Sequence, residues 1–215
     1  MTEIRFWFAP GACSLAPHIL LKEVGVASDN IETAISVEGA QFPVGFERIN
    51  PKMRVPVLSL DGEIITEVPA IATAIAALAP ERQLLGRTSL ETARVYEWMV
   101  WISGSVHGDG FGTLWRPQRY SDDPAAYDGI MRKAREKLTN YYAIIEDRIV
   151  GPYALGETFS AVDAYLYVFY RWGNVIGLDL DANYPKFASL GRLLAERPSV
   201  AAATAAENID PHWKL

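Results

Sequence analysis

The sequence predicts a small mixed α/β domain followed by an all-helical domain. Three observations predict it: alternating strand and helix signals in the first third, their disappearance after Ser89, and a polar stretch between, "PERQLLGRT", that reads as a linker. The expected boundaries are residues 1–80 for the sheet domain and 89–215 for the helical one.

The elements follow in order. Ile4 to Phe8 is a short apolar and aromatic run ended by Pro10-Gly11, hence a strand. Leu15, Ile19, Leu20 and Val24 recur at helical spacing, and Gly25 supplies the stop. A second strand is expected at Ile31 to Val37. Val57 to Leu60 and Ile64 to Thr66 flank Asp61-Gly62, the signature of a tight hairpin. An apolar helix runs from Pro69 to Leu78, with proline where its missing N–H costs nothing. Five helical segments complete the chain: Leu90 to about Phe111, Ala125 to Ile149, Ser160 to about Val175, Pro185 to Glu196, and a short one after Ser199. Ser160 and Asp163 form a capping-box pattern, with Phe159 as the staple residue before the cap.

Composition narrows the function classes. Half of the 215 residues are hydrophobic and 21% charged, the balance of a globular protein. The formal net charge is −6 and no Lys/Arg run would track phosphates, so nucleic acid is not an expected partner. The most apolar stretch, "VPAIATAIAALAP", is proline-bounded and too short to cross a bilayer, and the N-terminus lacks a secretory pattern, so no membrane partner is expected. A single cysteine permits no internal disulfide, which fits a reducing cytoplasm.

That cysteine sits in "FAPGACSLAPH", between a strand and a helix. The unpaired N–H groups at a helix start stabilise a thiolate, so Cys13 is expected to have a lowered pKa. A lone cysteine is otherwise most often a small buried hydrophobe. No Cys-x-x-Cys pair exists, which excludes a dithiol cycle within the chain. Two further patterns stand out. In "NPKMRVPVL", Pro56 at a strand start donates no ladder hydrogen bond, and a cis Val55-Pro56 bond would turn the Val55 backbone outward for a peptide-like ligand. In "ITEVPAI", Glu67 and Val68 open a helix whose first N–H groups suit a carboxylate, while the Glu67 side chain suits an ammonium.

These features, in this order, resemble the glutathione S-transferases. "PGACSLAPHILLKEVG" is similar to the first-helix signature of the bacterial Beta-like class, in which a cysteine replaces the tyrosine or serine used elsewhere. "INPKMRVPVL", "ITEVPAI", "FSAVDAYLY" and "RPSVAAA" match the family at suitable spacing, and the likeness covers nearly the whole chain. The resemblance implies a thioredoxin-like N-terminal domain, an all-α C-terminal domain, and conjugation of glutathione to small apolar electrophiles by a homodimer, with glutathione as cosubstrate and neither a cofactor nor a metal. It further implies that the proline in "VPV" is cis, that Val55 pairs through its backbone with the cysteinyl part of glutathione, and that Glu67 and the Val68 N–H hold the γ-glutamyl end. Cys13 would face the glutathione sulfur, hydrogen bonding to it or forming a mixed disulfide, with Ser14 as a further donor and His107 beside the pocket, and these three are the expected catalytic residues.

The chain departs from the pattern at four places. Val68 stands where relatives often carry serine or glycine, Glu38 where a lysine can serve glutathione, Gly108 where a lysine can follow the histidine, and Phe8 where a tyrosine can be found. With an acid at 38, Lys52 or Arg54 would answer the glycyl carboxylate. Gly108, Gly110 and Gly112 weaken their helix by about 0.5–1 kcal/mol each, so a bend or an end is expected there. The aromatics expected to wall the cosubstrate pocket are Trp7, Phe8, Phe111, Trp115 and Tyr120. Trp98 and Trp101 are expected to serve packing or a dimer seam, and the tail "DPHWKL" to fold back across the pocket.

Two other functions fit the same residues. One is a glutathione-dependent thiol oxidoreductase or peroxidase acting through a Cys13 mixed disulfide. The other is a ligand-binding protein that keeps the fold without catalysis.

Overall fold

The computed structural model describes residues 3–26, 31–33 and 42–212. Four strands, β1 (Ile4–Phe8), β2 (Ile31–Thr33), β3 (Val57–Leu60) and β4 (Glu63–Thr66), form one mixed sheet in the order β2-β1-β3-β4. β1 and β2 run parallel, β3 lies antiparallel to β1, and β3 with β4 is the expected hairpin, pairing Leu60 with Glu63 across Asp61-Gly62. The remainder of the expected second strand, residues 34–37, lies outside the described residues, as does Glu38.

Side chains of β1 alternate between two environments, as the period of a strand demands. Phe6 and Phe8 point into the main core, their rings parallel at 6.1 Å, while Trp7 faces the other way onto Val57 and Phe46. Helix α1 (Leu15–Glu23) covers the core face with Leu15, Ile19, Leu20 and Leu21, each buried. Such a side chain contributes about 1.5–3 kcal/mol on leaving water. After a short α2 (Phe46–Ile49), α3 (Val68–Ala76) packs beside α1 on the same face.

The helical part begins with α4 (Ser89–Trp101), capped by Thr88, whose hydroxyl accepts from the Glu91 N–H. Where the alternate glycines lead one to expect a bend or an end, the chain instead widens into a π-helical segment over Ile102–Phe111 and continues as α5 (Gly112–Trp115). Low helix propensity at Gly104, Gly108 and Gly110 lowers the cost of leaving α geometry. Gly110 also permits a close approach, since a Cβ there would lie 2.6 Å from Leu138 Cδ2.

Helices α6 (Tyr127–Arg148), α7 (Ala161–Val175), α8 (Leu180–Asn183), α9 (Pro185–Ala195) and α10 (Pro198–Ala206) complete the fold. α7 is buried over Ala161 to Gly173, the mark of a central helix surrounded on all sides. Its start is secured by Asp163, whose carboxylate accepts from the N–H groups of Ala154 and Ser160 and from the Ser160 hydroxyl. α1 packs on both α7 and α10, so one continuous core joins the sheet to the helices. Among the described residues no helix is long and apolar enough to cross a membrane. Trp98 is buried beneath the Arg148 guanidinium at 4.7 Å, and Trp101 packs edge-on to Trp98 and Tyr141, so both serve packing within the chain.

Candidate active site between the sheet and the helices

A cavity of about 560 Å³ lies where the loop after β1, the turn before β3 and the start of α3 meet the π segment, α5 and α7. The π segment turns Ser103, His107 and Gly108 to the cavity, and Gly112 at the start of α5 follows, at a spacing of four to five residues, wider than the 3.6 of an α-helix. Cys13, Arg54, Val55, Pro56, Glu67, Val68 and Trp115 also line it, so the structure brings together most of the residues singled out from the sequence.

Cys13 sits one residue before the N-cap of α1, almost completely buried. Its thiol donates to the Val55 carbonyl, with Sγ 3.6 Å from the oxygen. Burial pushes the thiol up to about 12, and outweighs the backbone N–H groups of Cys13 and Ser14 and the Arg116 guanidinium, which act in the opposite direction. This reverses the expectation of a lowered pKa. The helix terminus is present, but the desolvation cost exceeds it.

The Val55-Pro56 bond is cis, as the resemblance implies. Glu67, at the N-cap of α3, has a φ of 73°, a backbone conformation rare for a side chain with a Cβ and costing about 1–3 kcal/mol. Its carboxylate meets Lys52 Nζ at 2.5 Å, and Lys52 also donates to the Thr66 hydroxyl. Lys52 therefore stands behind Glu67 and outside the cavity lining, while Arg54 faces the cavity.

His107 lies against Trp172 and Phe169, with ring centroids 5.3 and 6.2 Å away. Burial, reinforced by Arg116, Arg54 and Arg119, holds its pKa down to about 4, so the imidazole is neutral near pH 7. Asp109 turns away to Lys137 and Tyr141, and among the described residues no cluster of three metal-ligating side chains occurs.

Several expected site residues lie elsewhere. Ser14 is fully buried and bonds both ways with the Ala9 backbone, donating to its carbonyl and accepting from its N–H, each at 3.1 Å. It holds the loop to the end of β1 and does not reach the cavity. Trp7 is on the far face of the sheet because neighbouring strand residues point to opposite sides, and Phe8 is packed on Phe6 and His18. Phe111 is sealed behind the cavity wall against Trp115 and Trp172, and Tyr120 is exposed beyond the turn that follows α5. Of the five expected aromatics, only Trp115 lines the cavity.

Residues that the sequence reading missed are Arg116, Arg119, Tyr165 and Trp172. The Tyr165 hydroxyl lies 3.3 Å from the Ser103 hydroxyl, and the Trp172 indole N–H donates to the Gly11 carbonyl at 2.9 Å. The arginines had a visible signal, the basic pair of "RPQR" directly after Trp115. Tyr165 and Trp172 had none, being two of many aromatics in an apolar helix. The tail residues Asp210 to His212 are pinned along α7 by Arg171, Tyr167 and Asn174, and none of them lines the cavity. The last three residues lie outside the described ones.

Residues 124–198 match the family model described as the glutathione S-transferase C-terminal domain. The chain is 32% identical over 210 residues to the glutathione S-transferase GstA of Escherichia coli O157:H7, covering 96% of this chain and 100% of that one. It is 30% identical to the glutathione S-transferase GST-4.5 of Xanthomonas campestris, with 96% and 100% covered. Among solved structures, a glutathione transferase homologue from Sulfitobacter with bound glutathione superposes with a TM-score of 0.88 at 29% identity, covering 95% of this chain and 98% of that one. The bacterial Beta-class enzyme of Sphingomonas chungbukensis gives 0.78 at 33% identity, with 96% and 100% covered.

Proposed function

Because the chain belongs to the glutathione S-transferase family of enzymes, we propose that its cavity binds glutathione and directs the tripeptide's thiolate onto a small electrophile. The observation that carries this reading is the convergence of Cys13, the Val55-Pro56 edge and the start of α3 on one cavity. In it the Val55 backbone pairs with the cysteinyl unit, Glu67 takes the ammonium, the Val68 N–H takes the γ-glutamyl carboxylate, and Arg54 takes the glycyl carboxylate. Lys52, engaged by Glu67, orients that acid.

A free thiol has a pKa of about 8.5, so glutathione needs stabilisation of its anion near pH 7. The positive end of α1 and the hydroxyls of Ser103 and Tyr165 supply donors, and the Cys13 thiol adds one when it turns from the Val55 carbonyl, which then accepts from the cysteinyl N–H. The thiol proton leaves to water, because a histidine with a pKa of about 4 is too weak a base to hold it. The sulfur then forms a bond to the electrophilic carbon, and the leaving group departs with its bonding pair.

Thiol exchange through Cys13 fits less well. With its pKa pushed up to about 12, roughly one molecule in 10⁵ carries the nucleophilic thiolate at pH 7. We place a homodimer seam on the exposed apolar side chains of α4, Leu90 and Val100. Calorimetry with glutathione, together with turnover of a chlorodinitrobenzene-type electrophile, tests the proposal. Saturable binding below about a millimolar and measurable conjugation support it; weaker binding with no turnover assigns the chain to the ligand-binding alternative.

A further inference from the structure

Three guanidinium groups, of Arg54, Arg116 and Arg119, line the cavity, whereas its one described acidic lining residue, Glu67, is already paired with Lys52. Among the described residues no carboxylate or carbonyl meets any of the three. Arg94, Arg148, Arg192 and Arg197, by contrast, each close on an acid. The three lie close enough to feel one another's charge: burial, then Arg116 and Arg54, lower the pKa of Arg119. Like charges gathered without partners in a chain of net charge −6 form a positive mouth on an acidic protein, which draws anions.

Glutathione does not account for all of them. It carries two carboxylates and one ammonium; the start of α3 and Arg54 answer the carboxylates, and Glu67 the ammonium. Arg116 and Arg119 remain, on the helical wall beside Trp115 and Trp172, whose rings lie 4.7 Å apart. Their spacing is set by the backbone. Arg116 ends α5, buried Pro117 opens a 3₁₀ turn, and the Arg119 N–H donates to the Arg116 carbonyl at 3.1 Å. The half-exposed Trp115 ring beside two guanidinium groups three positions apart matches a planar unsaturated body that carries a carboxylate.

We propose that the second substrate is an anion, an aromatic or conjugated electrophile bearing a carboxylate, held by Arg116 and Arg119 against Trp115. This rests on the glutathione-conjugation reading and names its substrate class. With an aryl chloride the glutathione sulfur forms the new carbon–sulfur bond, chloride leaves with the electron pair of the carbon–chlorine bond, and the thiol proton goes to water.

The test compares a chloronitrobenzoate with its methyl ester, each kcat/KM divided by the uncatalysed rate with glutathione. The carboxylate is expected to exceed the ester by about tenfold or more, the yield of one charge-assisted contact. The Arg116→Gln/Arg119→Gln pair removes that preference, lowering the carboxylate about tenfold more than the ester. On the unaltered protein at saturating glutathione, raising salt weakens the carboxylate more than the ester, a readout independent of any variant's folding. An ester turned over as well as the carboxylate, or a preference that survives the paired substitution, overturns this inference alone, as does binding of glutathione with turnover of neither compound. Turnover of neither with no glutathione binding overturns the transferase reading and this one with it.

Discussion

Cys13 illustrates how two residue-scale effects of opposite sign are decided by magnitude. The helix terminus, two N–H groups and Arg116 favour the thiolate, but removal from water wins and leaves a neutral thiol that donates to Val55. Alkylation of Cys13 by iodoacetamide, followed by intact mass, is therefore expected to keep accelerating well above the pH of about 8.5 at which a free thiol levels off. An inflection below that pH would show an activated thiolate and revive the mixed-disulfide alternative. His107 presents the converse case of a base held neutral. Its pKa is about 4 in the fold against 6.5 when exposed, so on acidification the unfolded chain takes up a proton first. Stability present above pH 6.5 is lost as the pH falls from there toward 4, by up to about 3 kcal/mol. Asp163 acts oppositely in an overlapping window, because its carboxyl, raised from 3.8 to about 6, favours the folded state at the acid end. Urea unfolding of His107→Asn beside the unaltered protein cancels the Asp163 contribution. The unaltered protein's advantage, or deficit, is expected to move toward the variant as the pH drops, and a pH-independent difference would contradict the lowered pKa.

At the scale of elements, the π segment decides which side chains reach the cavity. The glycines were legible as a weakness in the helix, but a weakness does not specify its outcome. Packing against α6, where Leu138 lies over Gly110, selects continuation with a wider turn over a break. The same geometry predicts unequal costs for two glycine substitutions. At Gly191 a Cβ would stand 2.1 Å from the Tyr170 ring, buried between α9 and α7, so Gly191→Ala is expected to destabilise by about 1–3 kcal/mol or more. At Gly104 a Cβ meets nothing within 4 Å, so Gly104→Ala is expected to be neutral or to stabilise by about 0.5–1 kcal/mol. Thermal melts of the two variants read this contrast directly, and equal shifts would contradict it. The capping box of α7 was legible because its two residues are three apart in sequence and bond locally.

At the scale of the whole molecule, the far end of the chain holds the cavity loop. Glu207, just past α10 and buried, accepts from the Gly11 N–H at 2.7 Å and contacts His18 Nδ1 at 2.8 Å, while Trp172 of α7 binds the Gly11 carbonyl. Gly11, at a φ of 70°, is thus clamped from two helices two residues before Cys13. Glu207→Ala leaves a buried N–H and a buried imidazole without this partner, and is expected to cost about 2–4 kcal/mol in urea unfolding. It is also expected to raise the KM for glutathione more than it lowers kcat, since it loosens the loop that positions the tripeptide. An unchanged KM would show that the clamp serves stability alone.

The expected elements that fall in the described residues were readable because hydrophobic period, glycine stops and hairpin turns are short-range signals, carried by residues a few positions apart. The same holds for Cys13, the cis Val55-Pro56 edge and the start of α3, each marked by neighbours in the chain. What only the tertiary structure decided is which of these groups share a cavity and in what state. Trp7 and Phe8 were misassigned because strand alternation and packing, not proximity to the loop, set where they point. Arg116, Arg119, Tyr165 and Trp172 join the site from helices more than ninety positions beyond Cys13, and the Cys13 thiol owes its high pKa to burial. Both depend on how separate elements close over one another, which is a property of the packed core and of no local stretch of sequence.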